Sequence, residues 1–394
     1  MYSVNDEVDL YKSELIALRR DFHQYPEVGY KEFRTSKNIF EYLKNLGFDE
    51  IKNIDRTGVV ASLFGYKMFG ETVILRVNMD ALPIKEETDT LYKSKYDGVM
   101  HASGHDAQMA VALVVAKILK KHRDSFQGTV KFVFQPNEEQ AGALNLIENG
   151  IIDESNIKAA LAMNFTQMIN YGSVGLSSGL VIGNTEEFVI RIYGKSGNTY
   201  LPHKSIDAIL GAAKIIENIQ LLQTREYDPF MPMSIMFGKV HGGSARNVVA
   251  DNMVLEGTIR FISSEKDMID KVKSDFRRVV ADTCHMMRLG YEVEFIFSNS
   301  ELNNDEQIIE TLKRMTRLTF GKQENIVEFK SLMGEDFAEF AKRVPSAMTF
   351  FGINEEEKGF IYPNYHSKFD FNEDIMVMAT EYFVRTIIDL LRKR

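Results

Sequence analysis

The sequence concentrates three ionisable side chains in the six-residue segment "HASGHD", where His101, His105 and Asp106 stand close together. Imidazole and carboxylate groups are ligands that zinc and related divalent ions use in proteins, and an aspartate beside a histidine can fix the tautomer of its ring. The segment precedes an apolar helix pattern, so it forms a loop that can face a ligand. The neighbouring Ser103 and Gln108 are poor metal ligands, so the pattern predicts either a reduced metal site or a packed polar loop.

Acidic side chains follow two apolar segments that we expect to be strands. Glu138 and Glu139 come after "VKFVFQ", and Asn78 and Asp80 come after "TVILRV". Ligand sites in open parallel sheets lie at the carboxyl ends of strands, where one carboxylate can bind a metal while its neighbour acts as base toward a bound water. The alternatives are solvated loop glutamates and an ordinary strand-to-turn boundary. His366, in the aromatic-rich segment "PNYHSKFDF", is either a site residue or a packed or surface histidine.

The hydrophobic pattern before residue 183 alternates between strands and helices. Short apolar runs predict strands, and apolar residues spaced three and four apart predict helices. The predicted helices cover 7–22, 35–47, 107–122 and 141–150, and the predicted strands cover 59–65, 72–77, 128–135 and 157–165. Such alternation favours an α/β domain with a mostly parallel sheet covered on both faces.

The pattern changes between residues 183 and 297, where strands and helices follow the order β-α-β-β-α-β. This order is typical of a self-contained α+β module of the ferredoxin-like type. Helix and strand alternate again after residue 300, so we predict a discontinuous α/β domain of residues 1–182 and 298–394 with the module 183–297 inserted into it. Two glycine-rich segments of the module could present backbone amides, Asn247 or Arg260 to an anionic group, or they could be ordinary turns.

The composition is that of an ordinary globular protein, and 394 residues are enough for two domains. A net charge of −9 and a pI near 5.5 argue against nucleic acid or an anionic membrane surface as the partner. The longest apolar run, 109–116, is far too short to cross a bilayer. The single cysteine, Cys284, excludes an internal disulfide and fits a reducing compartment, so we expect a cytoplasmic protein. We expect its partner to be a small-molecule substrate or ligand.

Eight segments together resemble one family along nearly the whole chain, in both order and spacing. They are "LRRDFHQYPEVGYKEFRTS" (18–36), "NMDALPIKEET" (78–88), "GVMHASGHD" (98–106), "FQPNEE" (134–139), "PHKSIDAI" (202–209), "GGSARNVVADNMVLEGTIR" (242–260), "MGEDFAEF" (333–340) and "HSKFDFNED" (366–374). The family comprises metal-dependent amidohydrolases, aminoacylases and carboxypeptidases, such as hippurate hydrolase and N-acetyl-diaminopimelate deacetylase. The resemblance implies a zinc-peptidase-like α/β domain with two metal ions, an inserted lid that also dimerises, and hydrolysis of an amide on an amino acid.

Carried over position by position, the resemblance assigns a role to each matching residue. Glu138 matches the general base, Asp80 a further catalytic residue, and Glu139, His105 and His366 match metal ligands. The residues of the inserted module that the resemblance assigns to substrate binding are Asn198, His203, Asn247 and Arg260.

Several positions depart from the family pattern, and most of them weaken a metal site. Ser103 stands where the family has a cysteine that bridges both metals, and Asn164 stands at a histidine ligand. Asn78 replaces an acid, Gln108 stands where a histidine is common, and Asn198 replaces a lid histidine that stabilises the developing oxyanion.

The ligand set that is left predicts at most one divalent ion (zinc, manganese or nickel), bound weakly or absent. Serine is not a thiolate at neutral pH, asparagine offers only a neutral amide, and a catalytic zinc needs about three protein ligands. Three functions stay open: an amidohydrolase with a remodelled site, a metal-free inactive homologue that binds a small ligand or regulates, and a metal-free enzyme of another reaction class. The resemblance further implies a homodimer.

Overall fold

The structure is a computed structural model that describes residues 4–66, 70–153, 156–265, 267–321 and 325–392. Within these ranges the α-helices, in chain order, are α1 (Val4–Leu10), α2 (Lys12–Gln24), α3 (Phe33–Asn45), α4 (His105–Lys121), α5 (Ala143–Glu148), α6 (Ala208–Arg225), α7 (Met268–Met287), α8 (Glu306–Phe320), α9 (Ala338–Ala341) and α10 (Asp374–Leu390). None of the described helices is both long and apolar enough to span a membrane.

The strands, within the same ranges, are β1 (Glu50–Ile54), β2 (Gly58–Phe64), β3 (Thr72–Asn78), β4 (Thr129–Gln135), β5 (Ile157–Asn170), β6 (Val174–Gly175), β7 (Gly179–Ile182), β8 (Asn184–Tyr193), β9 (Gly197–Asn198), β10 (Met233–Gly242), β11 (Val248–Val249), β12 (Asn252–Phe261), β13 (Gly290–Asn299), β14 (Leu302–Asn304), β15 (Ile326–Val327) and β16 (Ser346–Asn354). Short 3₁₀ turns at Arg123–Ser125, Glu138–Gln140, Pro202–Lys204 and Glu356–Lys358 connect several of these elements.

Two predicted helices differ from the observed ones. The predicted helix 7–22 is divided into α1 and α2, because Tyr11 between them leaves helical geometry (φ −102°, ψ 4°). The predicted helix 141–150 is shorter, since a 3₁₀ turn at Glu138–Gln140 precedes it and Ala141 adopts a left-handed conformation (φ 58°). The apolar pattern locates an element, but residues outside helical backbone geometry set its ends.

The chain folds into two compact units. The first contains the described residues of 1–179, 303–329 and 336–394, and the second contains those of 180–302 and 330–335. The prediction had placed the division at 183 and 297 and had not included the segment 330–335 in the inserted module.

The first unit is built on an eight-stranded mixed sheet with the order β1-β2-β4-β3-β5-β16-β6-β15. Its centre, β4-β3-β5-β16, is parallel, whereas β1 and β2 add an antiparallel edge and β6 pairs antiparallel with β16. Every residue of β3 is buried, and so are most residues of α4, as expected for elements covered on both faces. The α/β fold class that the sequence predicts is therefore confirmed.

The strand register brings the carboxyl ends of the central strands to one level. Asn78, the last residue of β3, pairs with Gln135, the last residue of β4. On the other side of β3, Arg76 pairs with Ala162 of β5. β3 continues for two residues beyond Arg76 while β5 runs on to Asn170, so Asn78 and Asn164 stand at the same level of neighbouring strands.

The second unit has a four-stranded antiparallel sheet with the order β10-β12-β8-β13, separate from the sheet of the first unit. The chain order β8-α6-β10-β12-α7-β13 is a β-α-β-β-α-β unit. One apolar cluster joins the sheet to both helices, with Phe188 and Leu255 from strands and Ile215 and Phe276 from helices. The helix α6 begins at a capping aspartate, Asp207, whose carboxylate accepts the backbone N–H groups of the first turn.

Candidate active site

His105 is the first residue of α4, and a left-handed glycine turns the loop into that helix. Gly104 has φ 82°, a conformation that favours glycine. The Nδ1–H of His105 donates to the carbonyl oxygen of Asp80 at 2.8 Å, and Nδ1 lies 3.5 Å from the Asp80 carboxylate. Nε2 therefore faces away from Asp80, toward Asn78 Nδ2 at 3.2 Å and Glu138 Oε2 at 3.7 Å.

Glu138 and Glu139 occupy the 3₁₀ turn that follows β4. The turn is entered through Asn137 in a left-handed conformation (φ 53°), and the backbone N–H of Glu139 donates to Asp80 Oδ2 at 3.1 Å. One ligand atom from each of His105, Glu138 and Glu139 lies within 4.8 Å of the others. The structure thus brings together the general-base candidate and two of the three candidate ligands, with Asp80 behind them.

The opposite charges of Asp80 and His105 shift the pKa of both groups. Burial alone would raise the pKa of Asp80, but His105 and the backbone N–H groups of Glu139 and Glu138 hold it below its ordinary value. Burial alone would lower the pKa of His105, but the nearby carboxylates of Asp80 and Glu139 raise it. The arrangement favours a charged carboxylate that orients the imidazole.

His366 lies outside the cluster formed by His105 and the two glutamates. Its ring stacks on Tyr362, with centroids 4.6 Å apart, and its Nδ1 accepts the backbone N–H of Lys368 at 3.0 Å. The residue before it reaches the cluster instead, because the Tyr365 hydroxyl donates to Glu139 Oε1 at 2.9 Å and Oε2 at 3.0 Å. No pattern in the sequence singles out Tyr365 apart from its place beside His366.

The positions that depart from the family pattern leave polar atoms without partners among the described residues. Ser103 Oγ is buried and has no hydrogen-bond partner, and the same holds for Asn78 Oδ1 and Gln108 Nε2. Gln108 Oε1 accepts the backbone N–H of Asn78 at 3.1 Å. Asn164, half-buried on β5, stands level with Asn78. Unpartnered buried polar groups of this kind mark a place for water, an ion or a ligand.

The donors of this cluster fit one divalent cation. An imidazole and two carboxylates within 4.8 Å are a suitable set of nitrogen and oxygen ligands for a single zinc or manganese ion. A second ion would need a bridging group and further ligands, for which the chain offers Ser103, Asn164 and a histidine, His366, that is stacked elsewhere.

Behind this cluster, Arg19 holds the loop that precedes α4 in a buried ionic network. The guanidinium contacts Asp106 Oδ2 at 3.2 Å and Asp370 Oδ1 at 2.7 Å, and His23 Nδ1 lies 2.8 Å from the same Asp106 oxygen. The charges of Arg19 and His23 overcome the effect of burial and keep the pKa of Asp106 well below its ordinary value. Arg19 was missed, although it shares the inward helical spacing of Leu15 and His23.

His101, the first histidine of the same loop, is fully buried, and neither of its ring nitrogens has a hydrogen-bond partner among the described residues. Burial lowers its pKa to about 3, so the ring is neutral. It lies within the loop without joining the cluster of His105 and the glutamates.

Arg76 occupies the centre of the buried sheet and is fully enclosed. Its Nε donates to Gln135 Oε1 at 2.8 Å, and its Nη2 pairs with Asp336. Asp336 also accepts Gln135 Nε2 at 2.7 Å and the backbone N–H of Ala143 at 2.9 Å. This triad ties β3 and β4 to the loop of residue 336 and to the start of α5, immediately beyond the glutamate turn.

In the second unit, short strand pairing brings Asn198 and Asn247 into one loop region. Asn198 on β9 pairs with Val248 on β11, and the backbone N–H of Thr199 donates to the carbonyl oxygen of Asn247 at 3.4 Å. Both asparagines are exposed, and His203, in the 3₁₀ turn that follows, is exposed as well.

Arg260 lies at the other end of the sheet of the second unit. It stands near the end of β12, eight residues after Asn252, and a strand rises about 3.3 Å per residue, so roughly 26 Å separate it from the start of that strand. Its Nη1 donates to the carbonyl oxygen of Leu332 at 2.8 Å. The backbone N–H of Gly194, four residues before Asn198, donates to the carbonyl oxygen of Asp251 at 2.8 Å, beside the start of β12. The structure therefore does not bring Arg260 together with Asn198 and Asn247.

Comparison with known proteins agrees with this architecture. The profile of peptidase family M20/M25/M40 matches residues 74–389. Thermostable carboxypeptidase 1 of Saccharolobus solfataricus is 34% identical over 372 residues, which cover 93% of this chain and 92% of that protein. N-acetyl-L-cysteine deacetylase of Bacillus subtilis is 34% identical over 381 residues, which cover 96% and 89%.

A solved structure shows the same likeness in three dimensions. The YXEP protein of Bacillus subtilis, described as a dinuclear metal binding peptidase from the M20 family, superimposes with a TM-score of 0.81 at 28% identity, and the match covers 97% of this chain and 99% of that one. The family resemblance read from the eight sequence segments is thereby confirmed, and the chain belongs to peptidase family M20/M25/M40.

Proposed function

We propose that this protein hydrolyses the amide bond of a small N-acylated amino acid or a similar peptide-like amide, with Glu138 as general base and with no more than one divalent cation. The observation that carries the proposal is the cluster of His105, Glu138 and Glu139, whose ligand atoms lie within 4.8 Å of one another. The names of relatives that act on N-acylated amino acids support the same class of substrate.

The chain's own residues provide most of the chemistry. Glu138 sits at the carboxyl end of β4, where its carboxylate can take a proton from an attacking water and pass it to the leaving nitrogen. Asp80 keeps the His105 ring in one tautomer and one orientation. Asn198, His203 and Asn247 are the proposed substrate-binding residues of the second unit, and Arg260, at the other end of its sheet, is not among them.

His105 and Glu139 would hold the cation, with Glu138 within reach. A bound divalent ion supplies Lewis acidity toward the amide carbonyl and lowers the pKa of water. Zinc, manganese and nickel all accept one nitrogen and one carboxylate donor, with water completing the coordination.

The test is turnover of a panel of N-acetyl, N-benzoyl and indole-acetyl amino acids, followed by chromatographic detection of the free amino acid. Glu138→Gln should lower kcat by roughly 10²–10⁴-fold, the usual contribution of a general base, while substrate still binds. Glu148→Gln, on α5 and outside the cluster, is the matched control. If no substrate is hydrolysed with zinc, manganese or nickel present, the proposal is wrong.

Specific contacts favour a second function, which is the binding of a small ligand without metal and without catalysis. Asn78 Nδ2 faces the nitrogen of His105 that would coordinate an ion, and Ser103 Oγ has no partner among the described residues. Saturable binding of an N-acyl amino acid to the metal-free protein, without turnover when metal is added, would support this alternative.

We also propose that the protein is a homodimer assembled through the second unit. Ile209 and Leu210 at the start of α6 are each 51% exposed, and Met236 and Val240 on the edge strand β10 are 61% and 50% exposed. Apolar side chains on an open edge favour pairing with a second copy. The buried, unpaired thiol of Cys284 supports a reducing compartment such as the cytoplasm.

A further inference from the structure

The Tyr365 hydroxyl makes nearly equal hydrogen bonds to both carboxylate oxygens of Glu139, at 2.9 and 3.0 Å. A donor nearly equidistant from the two oxygens lies close to the plane that bisects the carboxylate, on the side open to both oxygens. That is also where a cation lies when a carboxylate binds it through both oxygens. Tyr365 therefore occupies the chelating face of the residue that the cluster offers as an acidic metal ligand.

The backbone holds Tyr365 in this position. The residue has φ 69°, an uncommon conformation for a bulky side chain that persists only where its surroundings fix it. Its N–H donates to the carbonyl oxygen of Ala102 at 2.8 Å. The side chain of the preceding Asn364 donates to the carbonyl oxygens of Phe165 at 2.9 Å and Ser103 at 3.4 Å. The loop that carries the hydroxyl is thus tied to the histidine loop and to β5.

Internal hydrogen-bond partners also face both ring nitrogens of the imidazole in the cluster. His105 Nδ1 is used by Asp80, and Asn78 Nδ2 stands 3.2 Å from Nε2, the atom that would coordinate a metal. A lone pair that accepts a hydrogen bond is not free for a cation, so both ligands must give up an internal donor before an ion can bind.

We propose that Tyr365 is a built-in competitor of the divalent cation, whose hydroxyl satisfies Glu139 in the metal-free protein and lowers the affinity of the site for metal. Asn78 has the same effect on His105. The proposal concerns the site of the proposed function but is independent of turnover, because it states an equilibrium between a hydrogen bond and a metal bond.

The opposite role would give the opposite result. A tyrosine that orients Glu139 for an ion, as residues behind metal ligands commonly do, would strengthen metal binding, and its removal would weaken it. The sign of the change in affinity therefore separates competition from support.

The experiment is calorimetric titration of the metal-free full chain with manganese and zinc, with elemental analysis of the dialysed complexes. Tyr365→Phe should bind metal about tenfold more tightly than the wild type, since a hydrogen bond to a charged acceptor is lost from the metal-free state. Tyr362→Phe is the matched control, because it removes a nearby hydroxyl and keeps the ring that stacks on His366. Its affinity should equal that of the wild type.

Tyr365→Leu gives a second measurement if the phenylalanine variant does not fold, and it should change the affinity in the same direction. Equal or weaker metal binding by the Tyr365 variants overturns the proposal, and so does the absence of metal binding in all of them. Tighter binding without hydrolysis of any substrate would support this inference and count against the proposed hydrolytic function.

Discussion

His105 Nδ1 lies 2.8 Å from the carbonyl oxygen of Asp80 and 3.5 Å from a carboxylate oxygen of the same residue. One residue thus gives the ring both a neutral acceptor and a negative charge. The proton is held on Nδ1, and Nε2 is directed toward the glutamates. Asp80 lies where the chain leaves β3, and it therefore sets the direction in which the His105 ring can act. Among the described residues, His105 is the only histidine of the cluster with the two glutamates.

Replacing Asp80 by asparagine should lower the pKa of His105. The backbone acceptor stays in place, but the carboxylate charge that raises the pKa is lost, and burial then favours the neutral ring. The measurement is an NMR titration of the histidine ring protons of the metal-free protein, with the His105 signal assigned from His105→Gln. An unchanged or higher pKa in Asp80→Asn would show that the charge has no such role.

The buried His23 should make stability depend on pH above neutrality. Burial opposes its charge, but Asp106 and Glu86 outweigh burial and raise its pKa from 6.5 to about 9. The folded state therefore binds the proton of His23 more tightly than the unfolded state does. The stabilisation is fully present below pH 6.5 and is lost as the pH rises through 9, with an upper limit of about 3 kcal/mol at about 1.36 kcal/mol per pKa unit.

Urea unfolding at a series of pH values measures this effect. The free energy of unfolding should fall between about pH 6.5 and 9 in the wild type, and the fall should be smaller in His23→Gln. His285→Gln, on an exposed face of α7, is the control and should keep the wild-type slope. Identical slopes in the wild type and His23→Gln would rule out a contribution from His23.

Arg76→Met should destabilise the protein by about 3–5 kcal/mol. The substitution leaves the buried carboxylate of Asp336 without its cation, which is the costly way to break a buried ion pair. Arg191→Met removes the solvent-exposed pair with Glu294 and should cost far less stability, because water screens that pair. Chemical denaturation compares the two variants, and similar losses in both would contradict the role given to the Arg76 triad.

Restoring two ligands should raise metal affinity substantially. Ser103→Cys introduces a thiolate that can bridge, and Asn164→His introduces an imidazole at the level of Asn78 on the neighbouring strand. Elemental analysis and titration with zinc, manganese and nickel measure the change, with Ser103→Ala as the control that adds no ligand. Two tightly bound ions in the wild-type chain would defeat the argument from ligand number.

Lysine on the edge strand β10 should weaken dimerisation. Met236→Lys and Val240→Lys place charge on the exposed apolar edge, whereas Ile296→Lys places it at a similarly exposed site (53%) on the opposite edge strand, β13. Sedimentation velocity at micromolar concentration should show a wild-type dimer, a shift toward monomer for the β10 variants, and no shift for the β13 control. A monomeric wild type would contradict the proposed assembly.

The sequence predicts those features that depend on local pattern. The strand 72–77 and the helix 107–122 are observed as Thr72–Asn78 and His105–Lys121, because long apolar runs covered on both faces leave little choice of structure. Glu138 and Glu139 were expected at a strand end for the same reason, and the turn after β4 carries them.

Contacts between distant segments are not encoded in any local pattern. Tyr365 and Glu139 are 226 residues apart, and nothing in either segment indicates their hydrogen bonds. The ring of His366 is turned toward Tyr362 by stacking, which a motif match does not reveal. Arg260 and Asn198 were grouped by analogy, whereas the length of β12 separates them.

The ionic contacts of Arg19 have a consequence for the order of synthesis. Arg19 is made early, but two of its carboxylate partners, Asp370 and Glu373, follow about 350 residues later. A nascent chain that already contains His105, Glu138 and Glu139 still lacks two of the carboxylates that balance the Arg19 guanidinium. Ribosome-bound fragments that end before residue 370 should therefore lack part of the ionic network that holds the loop before α4, and this network is complete only after Glu373 has been synthesised.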